Sequence, residues 1–185
     1  MAAFSNESAW QWADILGYGM NQELLLAIEL KPRLQAGATR MARRWFHELG
    51  QARPELYALF ITSEFVALRL PAGRRRPEAS ITGLPRALRE QLKEVLLDEI
   101  DYVVDAAATL DMAIDTHRVP LQKLDPPGLQ RVVESWLDSC LATPAAKLKE
   151  LPAQGWLVNS GLHQALQKGR ILPPVGGPTM YAFAG

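Results

Sequence analysis

Three histidines, His47, His117 and His163, are the side chains of this sequence best suited to metal ligation or proton transfer. A neutral imidazole nitrogen ligates transition metals and titrates near neutral pH, although most histidines are ordinary hydrogen-bonded or partly exposed residues. The single Cys140 allows neither an internal disulfide nor a cysteine-rich metal site, and a buried inert thiol is its expected role. A specific function for any histidine therefore depends on the residues around it.

Acidic side chains recur at spacings of four, four, three and four between residues 90 and 105, at Glu90, Glu94, Asp98, Asp101 and Asp105. We expect one solvated helix face, because the alternative of a carboxylate metal site lacks an accompanying Glu-x-x-His pair. The sequence also contains no glycine-rich phosphate loop after a strand, no nucleophile elbow, no zinc-ligand spacing and no His-Glu-x-x-His helix. It therefore does not favour a conventional enzyme.

Apolar residues that recur at spacings of three and four predict an all-α fold of about seven helices with little sheet. The predicted helices lie at about residues 6–16, 21–31, 34–49, 54–68, 85–117, 125–142 and 144–168, where the last span holds two short helices. Two alternatives remain open: residues 60–70 could be extended, and residues 85–117 could form one helix or two with a soft joint. Residues 71–83 are expected to form an exposed loop that can be deleted without loss of folding.

The 185 residues, 48% of them hydrophobic, fit one domain with a single core. We expect a helical N-terminal extension at residues 1–20, a helical domain at 21–170 and a Pro/Gly-rich tail at 171–185. The sequence starts without the basic and apolar segments of a signal peptide and contains no run of about 18 apolar residues. These features predict a cytoplasmic protein without a membrane partner.

Charge is unevenly distributed along a chain whose net charge is zero. Residues 31–93 contain 13 Lys and Arg against five Asp and Glu, whereas residues 94–138 contain three against ten. The opposite charges of these neighbouring segments could assemble a homodimer head to tail. Nucleic acid could bind residues 74–76 and the face of Arg40, Arg43 and Arg44, but zero net charge and the lack of interleaved aromatic residues argue against it.

Two segments resemble the globin superfamily, in the order that the family has them. Residues 45–60 (WFHELGQARPELYALF) are similar to the globin segment in which an aromatic pair and Pro-Glu-Leu lead to a haem-contacting phenylalanine. Residues 123–133 (KLDPPGLQRVV) are similar to the start of the penultimate globin helix. The resemblance implies a globin-like bundle that binds b-type haem and carries or senses a small gaseous ligand.

The resemblance implies that His117 is the proximal ligand of haem iron. A gapless count places Arg118 at that position, so His117 requires one extra residue in the following turn. Leu110, Ile114 and His117 share one helix stripe, which lets the imidazole point toward the core. The alternative is a haem-free helical module for interaction or assembly.

The other residues of the expected haem pocket follow from the same resemblance. Phe46 and Phe60 would line it, Leu92 would lie near its distal face, and Ile114 would adjoin the ligand. Arg86 or Arg89 could pair with a haem propionate, although solvation at the surface is the competing interpretation. No distal histidine or glutamine is evident, which disfavours simple oxygen storage.

Overall fold

Seven strands form a single mixed sheet in the computed structural model, which describes residues 13–32, 37–117, 120–151 and 153–172. The fold is therefore α/β, and the predicted all-α globin-like bundle is wrong. The strands are β1 (Ile15–Tyr18), β2 (Leu24–Lys31), β3 (Tyr57–Thr62), β4 (Phe65–Arg69), β5 (Ser80–Thr82), β6 (Tyr102–Asp105) and β7 (Arg170–Leu172). Their order across the sheet is β5-β6-β4-β3-β2-β1-β7.

Two hairpins and one crossover build the centre of the sheet. β1 pairs with β2 and β3 pairs with β4 in antiparallel register, whereas β2 and β3 run parallel. Parallel neighbours need a crossover connection, and helix α1 (Ala38–Ala52) forms part of it here. β7 lies antiparallel to the outer edge of β1, and β6 joins β4 to the short β5.

Helices cover both faces of the sheet and create two hydrophobic cores. α1 and α2 (Arg86–Val95) pack on one face, against residues such as Ala58 and Phe60. The other face carries α3 (Ala106–His117), α4 (Pro126–Ala142), α5 (Ala145–Glu150), α6 (Gly155–Asn159) and α7 (Leu162–Leu166). This is a three-layer arrangement with the sheet in the middle. None of the described helices is long and apolar enough to cross a membrane.

The helix predictions failed where strands are buried on both faces. All six residues of β3 are buried, so the strand shows no alternation of polar and apolar residues. The segment predicted as a helix at 6–16 ends in the first two residues of β1, and the segment at 21–31 contains β2. The segment at 54–68 holds most of the β3–β4 hairpin, which agrees with the alternative of an extended 60–70. The segment 85–117 is interrupted by β6, and the acidic residues 90–105 therefore do not share one helix face.

The confirmed helices have clear end signals or a strong amphipathic pattern. α4 begins at Pro126, and the Asp125 side chain caps it by accepting a hydrogen bond from the backbone N–H of Gly128 at 2.7 Å. α5 and α7 fall within predicted helical segments, and α1 overlaps the segment predicted at 34–49 but ends later, at Ala52. Residues 1–12 and 173–185, which belong to the predicted N-terminal extension and tail, lie outside the described residues.

Residues 71–83 are more firmly held than the exposed loop that we expected. Arg74 donates to the Tyr57 hydroxyl at 2.5 Å, and the Arg75 guanidinium lies 2.9 Å from a carboxylate oxygen of Asp101. The Arg76 guanidinium stacks 4.8 Å from the centroid of the Tyr102 ring. All three consecutive arginines therefore have partners in the folded chain.

Candidate functional site

The residues expected to line a haem pocket form part of a packed core. Phe46, Phe60 and Leu92 come together between the sheet and the helices α1 and α2, and each is at most 1% exposed. The ring centroids of Phe46 and Phe60 are 6.3 Å apart. These side chains contact one another and the surrounding apolar residues, so they stabilise the fold by burying apolar surface.

The helix that contains the expected proximal ligand packs on the other side of the sheet. His117 and Ile114 belong to α3, whose Leu110 packs in the opposite core, and the side chains of both lie outside the described residues. Arg86 and Arg89 are exposed on α2. Because the sheet separates α3 from Phe46 and Phe60, the described residues do not assemble the haem and iron site implied by the globin resemblance.

The other two histidines and Cys140 have structural partners. His47 Nδ1 lies 3.1 Å from a carboxylate oxygen of Glu99. The buried His163 places Nε2 at 2.9 Å from the Thr143 carbonyl oxygen. Burial raises the pKa of the Cys140 thiol to about 12, which keeps it protonated and inert.

A pair of carboxyl groups stands where β1 and β2 meet, at Asp14 and Glu29. The backbone N–H of Asp14 donates to the Ile28 carbonyl oxygen at 2.7 Å, and Asp14 Oδ2 accepts from the backbone N–H of Leu30 at 2.8 Å. Ile15 pairs with Ile28 across the strands, so the next position brings Asp14 beside Glu29. The backbone of the hairpin thus fixes the position of the pair.

The raised pKa of Glu29 keeps this carboxyl group protonated at neutral pH. Burial, a hydrogen bond to Asp14 and the negative charge of Asp14 together raise the pKa of Glu29 to about 9, against the opposing effect of Lys31. Two adjacent carboxylates repel each other when both are ionised, so a proton between them lowers the free energy of the pair. A bound cation would have the same effect.

Lys31 follows Glu29 by two residues and therefore projects from the same face of β2. Both side chains line a cleft of about 250 Å³ together with Arg44 and Trp45 of α1. Lys31 also lines a cleft of about 400 Å³, to which Asp125 at the start of α4 contributes. The buried strand β3 forms the floor of the site, since Glu29 is paired with Phe60 and Lys31 with Thr62.

Asp14 opens onto a third cleft, of about 370 Å³, beside the first turns of α4. Its lining includes Arg131 and Glu134. The carboxyl pair and Lys31 thus stand at the end of β2, with clefts on either side of the sheet edge. This arrangement offers acidic ligands, a cation and access for a substrate at one place.

The described residues contain no group of three or more His, Cys, Asp or Glu side chains placed to hold a metal ion. Two carboxylates are nevertheless sufficient for Mg²⁺, which usually retains several waters and binds one or two protein carboxylates together with substrate phosphates. Asp14 and Glu29 therefore fit that ion better than they fit zinc or iron, which bind more nitrogen and sulfur ligands.

Asp14, Glu29 and Lys31 are not among the residues predicted from the sequence, because all three fall in segments predicted to be helical. A usable signal was present: the apolar run of residues 24–28 ends in Glu29-Leu30-Lys31, where polar and apolar residues alternate with period two. A strand assignment would have placed Glu29 and Lys31 on one face.

Comparison of the chain with protein-family models, with curated proteins and with solved structures finds no match in any of the three. The functional argument therefore depends on the chemistry of the chain's own residues. Function belongs to sites rather than to folds, and the pair of Asp14 and Glu29 with Lys31 is the described site with the clearest chemistry.

Proposed function

We propose that this chain hydrolyses phosphodiester bonds of nucleic acid with a divalent cation held by Asp14 and Glu29. The observation that carries the proposal is the pair of adjacent carboxyl groups beside Lys31, fixed on paired strands and bordered by open clefts. The proposal replaces the haem-binding, gas-sensing function suggested by the globin resemblance. It also reverses our sequence-based expectation that nucleic acid is not a partner.

The carboxyl pair can bind a cation when the proton held by Glu29 is exchanged for the metal. Carboxylate ligands bind metal in their ionised form, so metal binding releases protons and strengthens as the pH rises. The raised pKa of Glu29 predicts that this exchange takes place around and above neutral pH. A hard cation such as Mg²⁺ or Mn²⁺ prefers these oxygen ligands.

The cation would supply Lewis-acid activation of the phosphate and of a bound water. Asp14 and Glu29 would hold it at the end of β2, and the Lys31 ammonium would donate to a nonbridging phosphate oxygen as negative charge develops there. The oxygen of the water forms the new bond to phosphorus, while the bond from phosphorus to the leaving sugar oxygen breaks. The water loses a proton and the departing oxygen gains one.

Other reactions that use two carboxyl groups fit this geometry less well. Glycoside hydrolysis requires carboxyl groups about 5 to 9.5 Å apart, whereas Asp14 and Glu29 are hydrogen-bonded to each other. Aspartic peptidases act on a neutral peptide bond, whereas the Lys31 ammonium beside this pair suits an anionic substrate. A metal ion suits the carboxyl groups of Asp14 and Glu29, and an anionic substrate suits the ammonium group of Lys31.

The test is cleavage of labelled DNA and RNA by the purified full chain with Mg²⁺, Mn²⁺, Ca²⁺ or EDTA. We expect cleavage with Mg²⁺ or Mn²⁺ and none with EDTA. Asp14→Asn, Glu29→Gln and Lys31→Met should each reduce the rate at least ~100-fold, because each removes a ligand or a charge used in the transition state.

Glu150→Gln and Lys149→Met are matched controls on the exposed part of α5, and both should cleave like the wild type. Calorimetric titration with Mn²⁺ gives a second readout, in which Glu29→Gln should weaken binding. Cleavage that is absent in the wild type under every metal condition, or that persists undiminished in all three site variants, would contradict the proposal. A Soret band in the same preparation would instead support the haem hypothesis.

A further inference from the structure

A broad cleft of about 1080 Å³ lies beside α1, between that helix, α2 and residues 77–81. Four basic and three acidic residues line it. Among the basic residues, Arg40 of α1 and Arg89 and Lys93 of α2 are exposed. Arginine binds phosphate through paired hydrogen bonds, and lysine binds it as a point charge. The basic lining therefore suits a phosphate-rich ligand.

Arg43 has a different role in the same cleft. Its guanidinium donates to both carboxylate oxygens of Asp98 and to the Val95 carbonyl oxygen, at 2.8 Å for the latter. This contact joins α1 to the end of α2. Arg40 and Arg89 remain available to a ligand, and so does Lys93, whose ion pair with Glu90 is an exposed contact of 4.0 Å that contributes little. Glu78 and Glu94 also line the cleft, so its charge is mixed and binding should depend strongly on salt.

The exposed side of α1 connects this cleft with the carboxyl pair. Arg40 and Arg44 are one helical turn apart, roughly 6 Å along the axis, and therefore lie on the same side of α1. Arg40 lines the broad cleft, whereas Arg44 lines the cleft that contains Glu29 and Lys31. A polymer with regularly spaced phosphates can contact both clefts at once, which a small phosphodiester cannot.

We propose that the broad cleft binds the phosphate backbone of the nucleic-acid strand that leads to the cleaved bond. The inference rests on the proposed function for the site of the cleaved bond, but it adds a separate binding surface remote from Asp14 and Glu29. Arg40, Arg89 and Lys93 contact backbone phosphates there and give affinity for long substrates without sequence preference.

The experiment compares two variants that lose the same three positive charges. The cleft variant carries Arg40→Gln, Arg89→Gln and Lys93→Gln, and the control variant carries Lys147→Gln, Lys149→Gln and Lys168→Gln at exposed positions elsewhere. Binding of a labelled oligonucleotide is measured by fluorescence anisotropy in Ca²⁺ over a range of salt concentrations. Cleavage of the same oligonucleotide and of a dinucleotide is measured in Mg²⁺.

We expect the cleft variant to bind the oligonucleotide at least ~10-fold more weakly than the wild type. The slope of log K against log salt concentration should also become less negative, by up to about two to three, because three phosphate contacts are lost. Its kcat/KM should fall for the oligonucleotide but not for the dinucleotide, because the short substrate does not reach the cleft. The control variant should match the wild type in both assays.

Equal binding by the cleft variant, the control variant and the wild type would overturn this inference even if metal-dependent cleavage is found. Failure of the wild type to bind the oligonucleotide would overturn it too. Selective loss of binding in the cleft variant, in a protein that cleaves neither substrate, would support the cleft and contradict the proposed hydrolysis. The two proposals can therefore fail separately.

Discussion

The contact between Asp14 and Glu29 links the stability of the hairpin to protonation. In the unfolded chain Glu29 loses its proton near the ordinary pKa of 4.5, whereas in the folded chain it keeps the proton up to a pKa of about 9. The folded state therefore binds one more proton between these two values. Stability contributed by the protonated form is present below the lower value and is lost as the pH rises toward the upper one.

Replacement of Glu29 by Gln should make the chain more stable than the wild type above neutral pH. The amide keeps a hydrogen-bonding group beside Asp14 without carrying a charge or a titrating proton. The wild-type free energy of unfolding should fall with rising pH between 4.5 and about 9, at most ~1.4 kcal/mol per pH unit from this group, relative to the variant.

Urea unfolding of both proteins across this pH range measures the difference directly. Added Mg²⁺ should stabilise the wild type more than the variant at high pH, because only the wild type gains a second ionised ligand. A wild-type to variant difference that stays constant with pH would show that Glu29 does not bind an extra proton in the folded chain.

The same residue pair shows what the sequence could not reveal. Asp14 and Glu29 are 15 positions apart, and they meet only because β1 and β2 form a hairpin through residues 19–23. Once those segments were assigned to helices, the two acids had no reason to be near each other. A residue-level prediction of the site therefore required the correct secondary structure first.

β1 pairs with a strand on each side, and Asp14 immediately precedes it. The position of Asp14 therefore depends on both pairings. β7 closes its outer edge through pairs such as Leu16 with Leu172 and Tyr18 with Arg170. Gly169 immediately precedes β7, and a Cβ atom at that position would lie 1.9 Å from the Tyr18 carbonyl oxygen. The two backbones approach this closely only because residue 169 is glycine.

Gly169→Ala should destabilise the pairing of β7 with β1. The new methyl group would overlap the carbonyl oxygen of Tyr18, and the backbone must move to relieve the contact, at a cost of about 1–3 kcal/mol in the free energy of unfolding. Gly73→Ala is the control, since a Cβ atom there meets nothing within 4 Å.

Thermal and urea unfolding of both alanine variants measure the effect, and hydrogen exchange at the amides of β1 shows where it occurs. We expect faster exchange in Gly169→Ala at β1 and unchanged exchange at α4. Equal stability of the two variants would mean that the β7 edge adapts without loss of pairing.

Element type was predictable where one face of the element is exposed. α1 and α4 show three-to-four apolar spacing, and Asp125 with Pro126 marks the start of α4. β3 is buried on both sides and β2 nearly so, and short apolar runs of this kind do not distinguish strand from helix. The resemblance of residues 45–60 to globins extends through the end of α1 and then continues into β3, where the similarity in sequence coincides with a different structure.

At the scale of the whole molecule, two of the clefts used in the proposals lie on the same face of the central sheet. The face with α1 and α2 carries the broad basic cleft and the cleft at Glu29 and Lys31, whereas the face with α3 to α7 is filled by a large apolar core. The basic segment 31–93 and the acidic segment 94–138 contact each other within the folded chain, where Arg43 of the first forms an ion pair with Asp98 of the second. At least one pair of these opposite charges therefore stabilises the monomer rather than a head-to-tail dimer.

The segment 71–83 is attached to this body by the buried carboxylate of Asp101. Asp101 is fully buried, and it accepts hydrogen bonds from the backbone N–H groups of Leu70 and Arg76 at 2.8 and 2.9 Å. The Asp101 carboxylate also forms an ion pair with the Arg75 guanidinium. One side chain thus joins the end of β4, the arginine segment and the start of β6.

Asp101→Asn should destabilise the chain by about 3–5 kcal/mol, because it leaves the partly buried Arg75 guanidinium without its counter-charge and replaces one hydrogen-bond acceptor by a donor. Asp98→Asn is the matched control: it breaks the pair with Arg43 at the surface, where an ion pair contributes at most about 1 kcal/mol. Urea unfolding gives both free energies, and trypsin reports on the segment itself, since it can cleave after Arg74 and after Arg75. We expect rapid cleavage there in Asp101→Asn and slow cleavage in the wild type and in Asp98→Asn. If Asp101→Asn unfolds and resists trypsin like the wild type, the segment does not depend on this carboxylate, and our sequence-based expectation of a dispensable loop would stand after all.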